Sequence, residues 1–161
     1  MRTLVVGVGN PIRGDDGVGP VVADAVARRG GNRFDSLSFC GSGLDLLNEL
    51  SNIACDHLVL VDSLASGHLD EGAVARLDVD ALLAAPVETP AHVSSHAVGL
   101  LDALKLARGL GVTLPPRVSV YAVGIRPVDG FREGLRPSLD ARLGAVVAEI
   151  VADLAAVGGA A

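Results

Sequence analysis

The chain has 161 residues, the length of one ordinary domain, and half of them are apolar although aromatic residues make up only 2%. The 13 lysines and arginines are outnumbered by 19 aspartates and glutamates, and a net charge of −6 argues against a nucleic-acid partner. The sequence has no apolar stretch of the roughly 20 residues that a membrane helix needs, and its two cysteines are not spaced as a pair, so we expect a cytoplasmic protein. Because aromatic residues are rare, we expect an aliphatic core.

Predicted strands and helices alternate along the chain. Strands are predicted at 3–8, 34–39, 57–61, 72–79 and 117–125, and helices at 17–29, 44–50, 79–85, 95–108 and 137–154. Near-continuous apolar strands separated by helices predict an α/β domain with a mostly parallel, twisted sheet of about five strands and helices on both faces. We expect this single domain to span residues 1–157, with 158–161 as a short flexible tail.

The turn after the first strand carries the most informative residues. Its opening G-V-G begins like a dinucleotide fingerprint, but Ile12 stands where the third glycine is required and Pro11 lacks a backbone donor. Two adjacent carboxylates, Asp15 and Asp16, then occupy the place where a phosphate would sit. Because carboxylates repel phosphate and attract cations, the sequence argues against a nucleotide cofactor and favours a cation at this turn.

Three side chains are the candidate ligands for that cation. Of Asp15 and Asp16, one is expected to cap the following helix. Asp62 follows an apolar strand, and the carboxyl ends of parallel strands share one edge of the sheet. His96 opens a predicted helix, while His92 lies four residues earlier and competes for the same role. Asp16, Asp62 and His96 therefore form a predicted carboxylate–imidazole cluster, which indicates cation binding without naming a reaction.

Taken together, these motifs resemble those of the hydrogenase maturation endopeptidases. The resemblance is carried by G-x-G-N-x-x-x-x-D-D-G-x-G at 7–19, by the V-D at 61–62 and by S-x-H at 94–96. It implies a twisted α/β sheet flanked by helices, and a peptidase that removes the C-terminal extension of a nickel–iron hydrogenase large-subunit precursor after nickel insertion. It also implies that Asp16, Asp62 and His96 are the catalytic, metal-binding residues, and that the precursor carries the nickel.

The sequence departs from the family pattern at two positions. Asp16 stands where glutamate is common, which retracts the carboxylate by about 1.5 Å, and Arg126 stands where an acidic or amide residue is frequent. Two functions stay open, a nickel-dependent processing endopeptidase and a non-catalytic nickel-binding assembly protein, because both need the same three residues. For the endopeptidase, the nucleophile is a water activated either by the metal or by a carboxylate.

Overall fold

The computed structural model describes residues 1–51, 53–84, 104–105, 107–109 and 111–158. The strands described are β1 (Thr3–Val8), β2 (Phe34–Phe39), β3 (His57–Leu64), β4 (Val74–Leu77) and β5 (Arg117–Gly124). The helices are α1 (Val18–Gly30), α2 (Gly43–Leu50), α3 (Val79–Ala84), α4 (Pro137–Asp140) and α5 (Leu143–Gly158). Short 3-10 turns precede and follow α1, at Gly14–Gly17 and Gly31–Arg33.

The five strands form one mixed sheet in the order β2-β1-β3-β5-β4. β1 pairs in parallel with β2 and β3, and β3 pairs in parallel with β5. β4 runs antiparallel to β5, because residues 65–73 form a connection shorter than the roughly one dozen residues that a parallel crossover needs. The predicted α/β class and five-stranded sheet are confirmed, and the antiparallel edge strand makes the sheet mixed rather than purely parallel.

Apolar side chains pack on both faces of the sheet. In β1, Val5 belongs to one core, whereas Leu4 and Val6 belong to the core on the opposite face. This division follows from the strand geometry, because successive side chains point to opposite faces. The first core takes Val22 and Val26 from α1 and Val146 and Ile150 from α5, and the second takes Leu46 and Leu50 from α2. Helices therefore cover both faces.

Several predicted boundaries differ from the structure: β4 is two residues shorter at each end than the predicted 72–79, and two further differences concern β3 and the last helix. β3 continues to Leu64, so Asp62 lies inside the strand rather than after it, because pairing with β5 extends as far as Leu64 and Gly124. The helix predicted at 137–154 is divided into α4 and α5 by a turn at residues 141–142. The apolar spacing does not reveal that turn, because Leu139 and Ile150 belong to the same core on either side of it.

Other predicted features lie partly outside the described residues. Of the helix predicted at 95–108, residues 104–105 and 107–108 are described, and they are helical. Of the predicted tail, Gly158 is the last residue of α5 and residues 159–161 lie outside. Among the described helices, none combines the length and the apolar character that a membrane span requires.

The strand order places a topological switch point, where open α/β sheets form a ligand crevice, at the carboxyl ends of β1 and β3. From β1 the chain passes to β2 on one side, and it then returns to β3 on the other side of β1. The two connections therefore diverge at this edge of the sheet. Ligands of open α/β sheets bind at such switch points, and the 3-10 turn Gly14–Gly17 follows β1.

Candidate functional site

Glycines allow the turn after β1 to pack closely against the sheet. Gly9 has φ +153°, and a Cβ at this position would overlap the carbonyl oxygen of Asp16. A Cβ at Gly19 would overlap the carbonyl oxygen of Val8 and would lie 2.6 Å from that of Val61. The glycines of the N-terminal motif thus bring the turn and the start of α1 against β1 and β3.

Ser63 connects the two candidate carboxylates. Its hydroxyl donates to Asp16 Oδ1 at 3.0 Å, and its backbone N–H donates to Asp62 Oδ1 at 2.7 Å. All three residues are buried, with exposed fractions of 8% for Asp16, 3% for Asp62 and 1% for Ser63. Asp16 Oδ2 also accepts the Asn10 N–H at 3.2 Å. The structure therefore brings Asp16 and Asp62 to one buried serine.

Asp15 has a different set of partners from Asp16. Its Oδ1 accepts the backbone N–H of Arg136 at 2.7 Å, and its Oδ2 lies 3.5 Å from Arg136 Nε. The prediction that Asp15 or Asp16 caps the following helix is wrong, because neither the 3-10 turn nor α1 has a side-chain cap. Arg136 also donates through Nη2 to the Pro127 carbonyl at 2.8 Å. Asp15 thus anchors the segment between β5 and α4 to the turn after β1.

Arg126, which departs from the family pattern, forms an ion pair within the chain. Its Nε lies 2.9 Å from Glu71 Oε2, and the Glu71 side chain is only 10% exposed. Glu71 belongs to the connection between β3 and β4, and Gly124 lies so close to this connection that a Cβ would overlap the Asp70 carbonyl. Arg126 therefore ties the end of β5 to the β3–β4 connection.

The histidines of the predicted site, His96 and its competitor His92, lie outside the described residues. His57, which is described, begins β3 at the amino end of the strand, and its Nε2 lies 2.9 Å from Ser119 Oγ. Burial, together with the positive charges of Arg117 and Arg76, lowers the pKa of His57 to about 4. His57 is therefore a neutral residue of the interior at physiological pH, remote from the crevice.

The described part of the site offers oxygen donors. Asp16 and Asp62 are both carboxylates, and each carries two oxygens of the kind that ligate hard cations. Within the described ranges, no group of three or more histidine, cysteine, aspartate or glutamate side chains is arranged to hold a metal ion. The donor chemistry of the pair suits either a divalent cation or the acceptance of a proton from water.

No family model matches the chain. It is nevertheless 27% identical over 160 residues to the hydrogenase 2 maturation protease of Escherichia coli (strain K12), an alignment that covers 96% of this chain and 91% of that protein. The solved structure of the hydrogenase maturating endopeptidase HybD from E. coli superposes with a TM-score of 0.70 at 28% identity, covering 98% of this chain and 94% of HybD. The chain is a relative of the hydrogenase maturation endopeptidases.

A second solved structure shares the fold of these endopeptidases. The nickel–iron hydrogenase maturation protease HybD from Thermococcus kodakarensis has a TM-score of 0.71 at 22% identity, covering 96% of this chain and 99% of that protein.

The predicted resemblance to the hydrogenase maturation endopeptidases is confirmed by the E. coli relatives, and so is the prediction that the chain is a peptidase. Its role is that of a processing endopeptidase.

Three residues around the candidate site were missed in the sequence. Ser63 directly follows Asp62, but a serine in a strand has no pattern that distinguishes a bridging role. Asn10 precedes a proline, which predicts a turn but not a backbone bond to a carboxylate. Arg136 lies 121 residues from its partner Asp15, a separation that no local pattern encodes.

Proposed function

We propose that this endopeptidase removes the C-terminal extension of a nickel–iron hydrogenase large-subunit precursor after nickel has been inserted. The observation that carries the proposal is the pair of buried carboxylates, Asp16 and Asp62, joined through Ser63 at the switch point of the sheet. Both carboxylates fall on the motif positions that the family resemblance assigns to metal binding. The names of the E. coli relatives support a hydrogenase precursor as the substrate.

Recognition would depend on the nickel ion that the precursor already holds. Two carboxylates and an imidazole, from Asp16, Asp62 and His96, form a donor set of oxygen and nitrogen that suits nickel. Three protein ligands leave coordination positions open for the ligands that the precursor supplies. The resting enzyme would then bind free nickel weakly, and cleavage would follow insertion.

Cleavage also requires a water molecule placed against the scissile carbonyl. A buried carboxylate of the pair is able to accept the proton of that water as it attacks, and the precursor's nickel provides an alternative means of activating it. In either case Asp16 and Asp62 hold the precursor through its metal. This contact would hold the extension beside the site in a fixed orientation. The water and the scissile bond would then react within one complex instead of having to meet by diffusion.

The two free cysteines support a cytoplasmic location for the reaction. Cys40 is an exposed free thiol, and Cys55 is a half-buried one. Burial raises the pKa of the Cys55 thiol, which disfavours the reactive thiolate. Because exposed thiols persist in a reducing compartment, we place the reaction in the cytoplasm.

Mass spectrometry of the precursor tests the proposed function. Incubation of a nickel-loaded large-subunit precursor with the purified enzyme should shorten the precursor by one discrete C-terminal peptide. Asp16→Asn and Asp62→Asn should abolish the shortening, whereas Asp35→Asn, a change at an exposed carboxylate of β2, should leave the rate unchanged. A precursor that keeps its full mass with the unaltered enzyme would overturn the proposal.

A further inference from the structure

We infer that Ser63 is a positioning residue, which orients the Asp16 and Asp62 carboxylates for contact with the precursor's metal. The inference deepens the proposed function and rests on it. Ser63 uses both of its donors on these carboxylates, the hydroxyl on Asp16 at 3.0 Å and the backbone N–H on Asp62 at 2.7 Å. One residue therefore constrains two side chains that reach the crevice from different segments of the chain.

The position of Ser63 is itself fixed by the sheet. It lies in β3 opposite Val123 of β5, and its side chain is almost completely buried. The pairing continues beyond it, since Leu64 lies opposite Gly124 and its carbonyl accepts the Ile125 N–H at 3.0 Å. A hydroxyl on a paired, buried strand has little freedom to move. The hydrogen bond from Ser63 therefore holds the turn that carries Asp16 in a fixed position.

This anchoring matters because the two carboxylates carry like charges. Without fixed donors, buried carboxylates that share a site rotate or separate to reduce their repulsion. A hydrogen bond to Oδ1 of each carboxylate fixes the orientation of the carboxylate plane. Removing such supporting partners from metal-ligating side chains typically lowers metal affinity or activity by about 10- to 100-fold.

Ser119 provides a matched comparison for Ser63. It is likewise 1% exposed in a central strand, and its hydroxyl also contacts a buried titratable side chain, His57, at 2.9 Å. It lies opposite Val59 in β3, four positions before Ser63 and towards the amino end of the strand. Removal of either hydroxyl should therefore perturb stability similarly, but only Ser63 contacts the candidate site.

Steady-state kinetics with nickel-loaded precursor separate positioning from stability. A variant that only loses folded protein shows a lower apparent kcat at unchanged KM, whereas a mispositioned carboxylate weakens contact with the precursor and raises KM. We expect Ser63→Ala to raise KM about tenfold, and Ser119→Ala to leave KM unchanged. Ser63→Thr, which keeps the hydroxyl in a residue suited to strands, should restore a KM near that of the unaltered enzyme.

Binding of Ni²⁺ alone gives a second readout that is independent of cleavage. Calorimetric titration should show a Kd for Ni²⁺ about tenfold weaker in Ser63→Ala than in Ser119→Ala. Ser63→Cys, which keeps the volume but replaces the hydroxyl by a weak donor, gives the same comparison if Ser63→Ala does not fold. An unchanged KM and an unchanged Ni²⁺ affinity in these variants would overturn the inference. Full activity of Asp16→Asn and Asp62→Asn would instead overturn the proposed function.

Discussion

Asp15 and Arg136 form a two-point contact between segments that lie 121 residues apart. Oδ1 of the fully buried Asp15 side chain accepts the Arg136 N–H, and Oδ2 lies 3.5 Å from the guanidinium nitrogen Nε. The Arg136 side chain is 29% exposed. This contact joins the turn that carries Asp16 to the segment that precedes α4, so it holds in place the turn of the candidate site.

Substitution of Asp15 by asparagine should therefore destabilise the fold. The change removes a buried negative charge that the Arg136 guanidinium and N–H both contact, and such losses cost about 2–3 kcal/mol. Urea denaturation measures the free energy of unfolding. Asp35→Asn is the control, because the Asp35–Arg2 pair is more than half exposed on both sides and should contribute less than about 1 kcal/mol. Equal effects of the two substitutions would contradict a structural role for Asp15.

The buried His57 should make the fold sensitive to acid. Its pKa is about 4 in the folded state, below the ordinary value of about 6.5 in the unfolded chain. The unfolded chain therefore binds a proton first, and stability falls as the pH drops below about 6.5 and continues to fall until about pH 4. Above pH 6.5 this group contributes no pH dependence.

Comparison of unfolding free energies at pH 7 and pH 4.5 checks this assignment. His57→Gln removes the titrating group and should reduce the acid-induced loss by about 2 kcal/mol. His68→Gln is the control, because His68 is exposed on the β3–β4 connection, and it should behave like the unaltered protein. An acid sensitivity that survives in His57→Gln would assign the effect to other groups.

The glycine at the start of α1 should be intolerant of any side chain. A Cβ at Gly19 would overlap the Val8 carbonyl and approach that of Val61, so Gly19→Ala should destabilise the protein by about 3 kcal/mol. In Gly144→Ala the new Cβ meets open space on α5, and the change should stabilise the protein by up to about 1 kcal/mol. Thermal unfolding of both variants gives the comparison. A Gly19→Ala protein as stable as the unaltered one would contradict the close packing of α1 on β1.

The predicted nitrogen ligand, His96, can be tested by the effect of its removal on precursor processing. His96→Ala should abolish processing of nickel-loaded precursor, because the candidate site would lose its proposed imidazole ligand. Circular dichroism should be nearly unchanged. His92→Ala is the matched control and should process at the normal rate. The reverse pattern, with His92 required and His96 dispensable, would exchange their roles.

Much of the fold was predictable because the sheet interior is encoded locally. Strands β1 and β2 were predicted with the bounds that the structure has, since runs of β-branched and alternating apolar residues are short-range signals. The antiparallel direction of β4 was missed, although the short connection before it, residues 65–73, is a sequence feature that disfavours a parallel crossover. The turn between α4 and α5 could not be predicted from the apolar spacing, because Leu139 before the turn and Ile150 after it pack into the same core.

The candidate site was predictable only in part. Asp16 and Asp62 could be singled out because carboxylates at the ends of parallel strands converge on one edge. The residues that hold them could not, since Ser63 bonds to Asp16 across 47 positions and such contacts exist only once the chain is folded. Asp15 illustrates the same limit, because its neighbour Asp16 has the same side chain but contacts different segments.

Comparison of nickel-free and nickel-loaded precursor tests the central claim most directly. Metal ions are first removed from the enzyme with a chelator. Each precursor is then incubated with this metal-free enzyme, and the mass of the precursor is measured by mass spectrometry. Because the proposed set of three protein ligands leaves coordination positions for an ion that the precursor carries, only the nickel-loaded precursor should lose its C-terminal extension. Equal cleavage of both precursors would contradict recognition of substrate-bound nickel.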